Sequence, residues 1–87
     1  MAPESLEEFP CLYTFKIFGR ESATFAERVR VIIAETLGPV PSEAVSARAS
    51  SGGKYLSLTI VVRVETQAQL ERVYQDLRAD PAVLLYI

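Results

Sequence analysis

The side chains that could carry out chemistry in this chain are few, because its 87 residues include no histidine, no asparagine and no tryptophan. Without histidine the chain has neither the base of an ordinary serine or cysteine triad nor an imidazole metal ligand. Cys11 is the single cysteine, so it can form neither an internal disulfide nor a site with several thiolate ligands. We interpret it as a structural thiol. These absences predict a protein that is not an enzyme and needs no cofactor and no metal, with an undetected enzyme as an alternative.

Two glycine-containing segments could place backbone amides against an anion. Ser51-Gly52-Gly53-Lys54 lacks the spacing of a phosphate loop and leads into a strand, so we interpret it as a hairpin turn. Gly19-Arg20-Glu21-Ser22 lies between a strand and a helix, where a glycine lets the backbone approach a ligand at the start of the helix. We therefore name Gly19, Arg20 and Ser22 as candidate ligand-facing residues. The alternative is a tight connection with an exposed Arg20.

Alternation and helical spacing divide the chain into six elements that would position these residues. They are a strand over 12–18, a helix over 25–37, a short edge strand over 44–50, a strand over 55–64, a helix after Thr66 and a last strand over 82–87. Thr24 with Glu27, and Thr66 with Gln69, have the spacing of capping boxes, in which the two side chains satisfy backbone donors at a helix start. Proline residues after each helix stop it from continuing.

This order of elements predicts an α+β ferredoxin-like sandwich. Its four-stranded antiparallel sheet has the spatial order 4-1-3-2, and both helices cover one face. Residues 9–87 then form a single domain, preceded by an N-terminal tail over residues 1–8. The other face of the sheet stays open. Alternation places on its two central strands a set of mostly polar candidates, namely Thr14, Lys16, Phe18, Tyr55, Ser57, Thr59, Val61 and Arg63.

This open face has the position, but not the side chains, of an RNA-binding sheet. RNA-recognition domains stack bases on aromatic residues of the two central strands, whereas Ser57 and Thr59 stand at those positions here. Phe18 and Val61 instead leave apolar area exposed, which marks a protein interface more often than a solvated surface. We therefore predict a partner-binding face and a homodimer formed by sheet packing or edge pairing. Single-stranded nucleic-acid binding is the alternative.

Charge and hydropathy narrow the classes of partner further. Nine basic and eleven acidic residues give a net charge of -2, which argues against a dedicated nucleic-acid binder. The longest apolar run, over residues 82–87, is too short to span a bilayer, and the glutamates at positions 4, 7 and 8 differ from a basic signal segment. We expect no nucleic acid and no membrane as partner. The expected location is the cytoplasm, which a single cysteine also fits.

The chain resembles the YbeD-like family of small bacterial proteins of unknown function over almost its entire length, from about residue 9 to residue 87. The matching stretches are Phe9-Pro10, Thr14-Phe15-Lys16 with Gly19, Ser50-Ser51-Gly52-Gly53-Lys54-Tyr55 with Ser57 and Thr59, and Leu70-Glu71-Arg72-Val73-Tyr74-Gln75-Asp76-Leu77. The resemblance implies a fold similar to that of ACT domains, which bind small effectors, often amino acids, and commonly pair through their sheets. It implies no catalytic residues, because none is established for the family.

These observations predict a non-catalytic regulatory or interaction module, ACT-like in fold, that binds a partner protein or a small effector. For an effector with a carboxylate, we expect Arg20 and the start of the first helix to contact the anionic group.

Overall fold

The computed structural model describes residues 8–87 and has the predicted elements in the predicted order. The elements are β1 (Cys11–Arg20), α1 (Phe25–Leu37), β2 (Val45–Ala49), β3 (Tyr55–Val64), α2 (Gln67–Ala79) and β4 (Val83–Tyr86). A short 3-10 turn, Ser42–Ala44, precedes β2. Residues 1–7 of the predicted tail lie outside the described residues.

The strands form one antiparallel sheet in the order β2-β3-β1-β4, which is the predicted order read from the opposite edge. β1 and β3 pair along their whole lengths, from Cys11 opposite Val64 to Arg20 opposite Tyr55. β4 pairs with the second half of β1, and the register shifts between Phe18 and Gly19. The ferredoxin-like prediction is therefore confirmed.

The hydrophobic core lies between the sheet and the two helices. Its buried residues come from both central strands, both helices and the α1–β2 connection: Phe15, Ile17, Phe25, Val29, Ile33, Val40, Leu58, Ile60, Val64, Leu70, Val73 and Leu77. Each large aliphatic or aromatic side chain buried in this way stabilises the fold by about 1.5–3 kcal/mol. The hydroxyl groups of Tyr13 and Tyr74 share a hydrogen bond of 3.1 Å beside this core. One face of β1 and β3 is therefore fixed against the helices, and the other is left open.

The two helices begin differently, and one of the two predicted capping boxes is wrong. At α2 the Gln69 backbone N–H donates to the Thr66 hydroxyl over 3.1 Å, and the Gln69 side chain accepts from the Glu65 backbone over 2.8 Å. At α1 the backbone of Thr24 is already near-helical, with φ -113° and ψ -2°, and its side chain caps no amide. An N-cap side chain needs an extended backbone to reach the first-turn amides. α1 therefore starts without a side-chain cap.

The turn between β2 and β3 is the predicted hairpin. Ser50 closes it, because its backbone N–H donates to the Tyr55 carbonyl over 2.8 Å and its hydroxyl accepts from the Tyr55 N–H over 3.2 Å. Gly53 has a φ of +74°, which a side chain would disfavour, whereas Gly52 does not have positive φ.

Candidate functional site

The residues predicted to face a ligand or a partner fall on two surfaces, which adjoin where Arg20 at the end of β1 pairs with Tyr55 of β3. Arg20 and Ser22 line a cavity at the start of α1, which we call the α1 cavity. The remaining candidates apart from Gly19 lie on the sheet face away from the helices, which we call the open face: Lys16, Phe18, Tyr55, Ser57, Thr59, Val61 and Arg63. Gly19 is buried between these surfaces.

The α1 cavity has a volume of about 260 Å³. Its walls come from the end of β1, the following loop, α1 and the segment before β4: Arg20, Ser22, Thr24, Phe25, Arg28, Pro81, Ala82 and Leu84. Sequence analysis identified Arg20 and Ser22 from the β1–α1 connection. Thr24, Arg28 and the residues around Ala82 were not among the predicted ligand-facing residues, and the last of these reach this place only through the packing of β4 beside β1. Two guanidinium groups and two hydroxyl groups therefore meet at the uncapped start of a helix.

Of the two arginines that line the α1 cavity, one is already held in an ion pair, and the other remains available to bind an anion. The Arg28 Nε–H donates to Asp80 Oδ2 over 2.8 Å, and the Ala82 backbone N–H donates to Asp80 Oδ1 over 2.8 Å. The hydrogen bond from Arg28 holds the pKa of Asp80 below its usual value, and the bond from Ala82 acts in the same direction against partial desolvation. Within residues 8–87 Arg20 forms no such pair. Asp80 thus balances the charge of Arg28, and Arg20 supplies the excess positive charge.

Gly19 shapes the α1 cavity without lining it. A Cβ atom at this position would lie 2.6 Å from the carbonyl oxygen of Ala82 and would overlap the ring of Phe25. Both neighbours are walls of the cavity. The glycine that the sequence indicated as a point of close approach to a ligand therefore makes room for α1 and for the segment before β4.

The open face consists of rows of residues that pair across the strands. One row contains Leu85, Phe18, Ser57 and Arg48, and the neighbouring row places Lys16 between Ile87 and Thr59. A hollow of about 440 Å³ lies at the hairpin end of this face, with Phe18 and Tyr55 among its walls, Ser57 between them and Arg48 at the side. The face therefore combines apolar contact area with isolated cations.

The lining of the α1 cavity includes the hydroxyls of Ser22 and Thr24 but no carboxylate or imidazole that could act as their base. Within residues 8–87 no three carboxylate or thiol side chains come together in a way that could hold a metal ion. In the same part of the chain, no helix is long and apolar enough to cross a membrane.

Similar sequences belong to proteins of unknown function. The family model described as "Protein of unknown function (DUF493)" matches residues 4–87. A UPF0250 protein of Paraburkholderia phytofirmans is 39% identical over 80 residues, which cover 92% of this chain and 90% of that protein. A UPF0250 protein of Nitrosomonas europaea is 32% identical over 87 residues, the whole length of both chains. These matches confirm the predicted resemblance to the YbeD-like proteins.

Two solved structures have the same fold at low sequence identity. The solution structure of protein HP0495 from H. pylori gives a TM-score of 0.73 at 14% identity and covers 100% of this chain and 94% of that one. The ACT domain from the GTP pyrophosphokinase of Chlorobium tepidum gives a TM-score of 0.66 at 13% identity, with coverages of 88% and 83%. At such identities the likeness concerns the fold alone, and it confirms the ACT-like, ferredoxin-like prediction.

Proposed function

We propose that this chain, which belongs to the DUF493 family of proteins of unknown function, is a non-catalytic regulatory module that binds a small carboxylate effector in the α1 cavity. One observation carries the proposal: Arg20, Arg28 and two hydroxyl groups converge where α1 begins without a side-chain cap. A guanidinium group recognises a carboxylate with two parallel hydrogen bonds. The first-turn amides and the helix dipole favour the same negative charge.

The dimensions of the cavity define the class of effector. Its volume of about 260 Å³ lies just below the range of about 300–1,000 Å³ that holds drug-sized ligands. The walls opposite the charged groups include Phe25 and Leu84, which can contact a short carbon chain. An amino acid or a short carboxylic acid fits these limits, with its carboxylate on Arg20.

The regulatory part of the proposal is supported by the composition of the cavity and by the fold. Hydroxyl groups without a neighbouring base favour reversible binding over bond cleavage. The similarity to an ACT domain adds an analogy of fold, which by itself does not establish a function. We propose the cytoplasm as the location, because the one cysteine of the sequence allows no internal disulfide.

Isothermal titration calorimetry against amino acids and short carboxylic acids tests this proposal. We expect saturable heat from at least one of them. Because a hydrogen bond to a charged group contributes about 1.5–3 kcal/mol, Arg20→Ala is expected to weaken binding at least tenfold. Arg48→Ala removes the same charge from the open face and is expected to leave binding unchanged. The absence of heat from every compound, or equal affinity in Arg20→Ala, would overturn the proposal.

A further inference from the structure

The charged residues of this chain are distributed unevenly between the sheet and the rest of the molecule. None of the four strands contains an acidic residue, so all nine acids among residues 8–87 lie outside the sheet. The open face carries Lys16, Arg48 and Arg63. Arg63 pairs with Glu65 over 2.9 Å, whereas Lys16 and Arg48 form no ion pair with any residue of the range 8–87. A chain with a net charge of -2 therefore presents a cationic sheet.

Large apolar side chains lie on the same face as these cations. On the open face the exposed ones are Leu12 at 74%, Tyr55 at 44%, Val61 at 41%, Leu85 at 57% and Ile87 at 66% of their full accessible area. Several large apolar side chains left exposed on one face of a sheet are typical of an interaction site. The hollow between Phe18 and Tyr55 adds a place for one protruding side chain, and Arg48 stands at its side.

We infer that the open face docks an acidic segment of a partner protein, with carboxylates on Lys16 and Arg48 and aliphatic side chains against the exposed apolar residues of the face. These two cations lie on strands separated by β3 and in adjacent rows of the same face. Strand and residue spacings place their Cα atoms about 12 Å apart. An extended segment covers that distance with carboxylates about four residues apart and an aliphatic residue midway on the same side.

The charges favour this partner over a second copy of the chain. Two open faces packed together would bring Lys16 and Arg48 against like charges, and such juxtaposition opposes association. A nucleic acid would also satisfy the cations. However, the centre of the face carries Thr14, Ser57 and Thr59 where bases would need aromatic platforms. The aliphatic residues around the cations match the side chains of a protein.

A designed peptide tests this inference directly. Its sequence repeats Glu-Ser-Leu-Ser, so that an extended chain presents glutamate and leucine alternately on one side; the control peptide has glutamine in place of glutamate. Titration is followed by amide chemical shifts of the ¹⁵N-labelled chain and by fluorescence anisotropy. We expect shifts in β1, β2 and β3 but not on the outer surface of α2, and affinity at least tenfold higher for the acidic peptide.

Matched charge reversals establish where the peptide binds. The Lys16→Glu/Arg48→Glu double variant is expected to bind the acidic peptide at least tenfold more weakly, because it places like charges against the carboxylates of the peptide. Arg72→Glu/Arg78→Glu changes the net charge equally on α2, where both side chains are exposed, and is expected to have no effect on the peptide. Equal affinity for both peptides, shifts confined to the helices, or tighter binding of an oligo(dT) single strand would each overturn the inference.

Discussion

Replacement of Gly19 by alanine probes how closely β1 fits against α1 and the segment before β4. The added methyl group would lie 2.6 Å from the Ala82 carbonyl oxygen and would overlap the Phe25 ring. Phe25 is only 2% exposed, so its ring cannot move away without disturbing the core. The Ala82 backbone is held as well, because its N–H donates to Asp80 Oδ1 over 2.8 Å. Neither neighbour can give way easily.

The expected loss of stability follows from this geometry. Overpacking in a well-packed interior costs about 1–3 kcal/mol, and the fixed carbonyl places Gly19→Ala in the upper part of that range, at about 2–3 kcal/mol. In a domain of this size each 1 kcal/mol lowers the Tm by about 4–8 °C. We therefore expect the Tm of Gly19→Ala to fall by about 10–20 °C.

Urea unfolding followed by circular dichroism, together with thermal melts, measures this loss. Gly52→Ala is the matched control, because a Cβ atom there meets nothing within 4 Å and the backbone does not have positive φ. A change at such an exposed site is expected to stay within about 0.5 kcal/mol. A Gly19→Ala variant as stable as Gly52→Ala would refute the reasoning, since it would mean that the Phe25 ring and the Ala82 backbone relax at no cost.

Two further predictions concern the ion pair behind the cavity and the edge of the sheet. Asp80→Asn loses the pair with Arg28 but keeps an acceptor for the Ala82 N–H. Because folding lowers the pKa of Asp80, the ionised carboxylate contributes its full stabilisation of the fold at a pH above the unfolded-state pKa of about 3.9. This stabilisation is lost as the pH falls through the lower pKa of the folded state. The gap in unfolding free energy between the unmodified chain and Asp80→Asn should therefore be full at about pH 7 and narrow as the pH falls below about 3.9. A constant gap would contradict the pairing. At the sheet edge, Ser50 donates its N–H to Tyr55 of β3, so alternation directs the Ala47 N–H outward, and Ala47→Pro should abolish a homodimer formed by edge pairing. Sedimentation velocity measures this, and a dimer that persists in Ala47→Pro would exclude the β2 edge.

The fold could be predicted because the residue patterns that determine it lie within short stretches of the sequence. Along β1 the odd-numbered residues Phe15 and Ile17 are large and apolar, and the even-numbered Thr14 and Lys16 are polar, so neighbours in sequence already separate the core from the open face. A period of two allows only one orientation of such a strand on a packed helical layer. The same holds for β3, and the two strands together fix the centre of the sheet.

The α1 cavity could be predicted only in part, because three of its eight lining residues are distant in sequence from the rest. Arg20 and Ser22 follow directly from the strand-to-helix connection. The pair between Arg28 and Asp80 joins residues 52 positions apart, and no local pattern relates them. The failed capping box has a similar cause. Thr24 and Glu27 have the correct spacing, but the connection from β1 gives Thr24 a near-helical backbone from which its hydroxyl caps no amide.

Net charge is a poor guide to the surface that a small α+β domain offers to a partner. Aspartate and glutamate are disfavoured in strands, so acids collect in helices and loops while Lys16, Arg48 and Arg63 remain on the sheet. With both helices on one side, the opposite face is cationic even though the chain is acidic as a whole. The net charge of -2 therefore does not by itself exclude nucleic-acid binding. Ser57 and Thr59 argue against it instead, because these small polar residues stand where RNA-recognition domains carry stacking aromatic residues on the third strand.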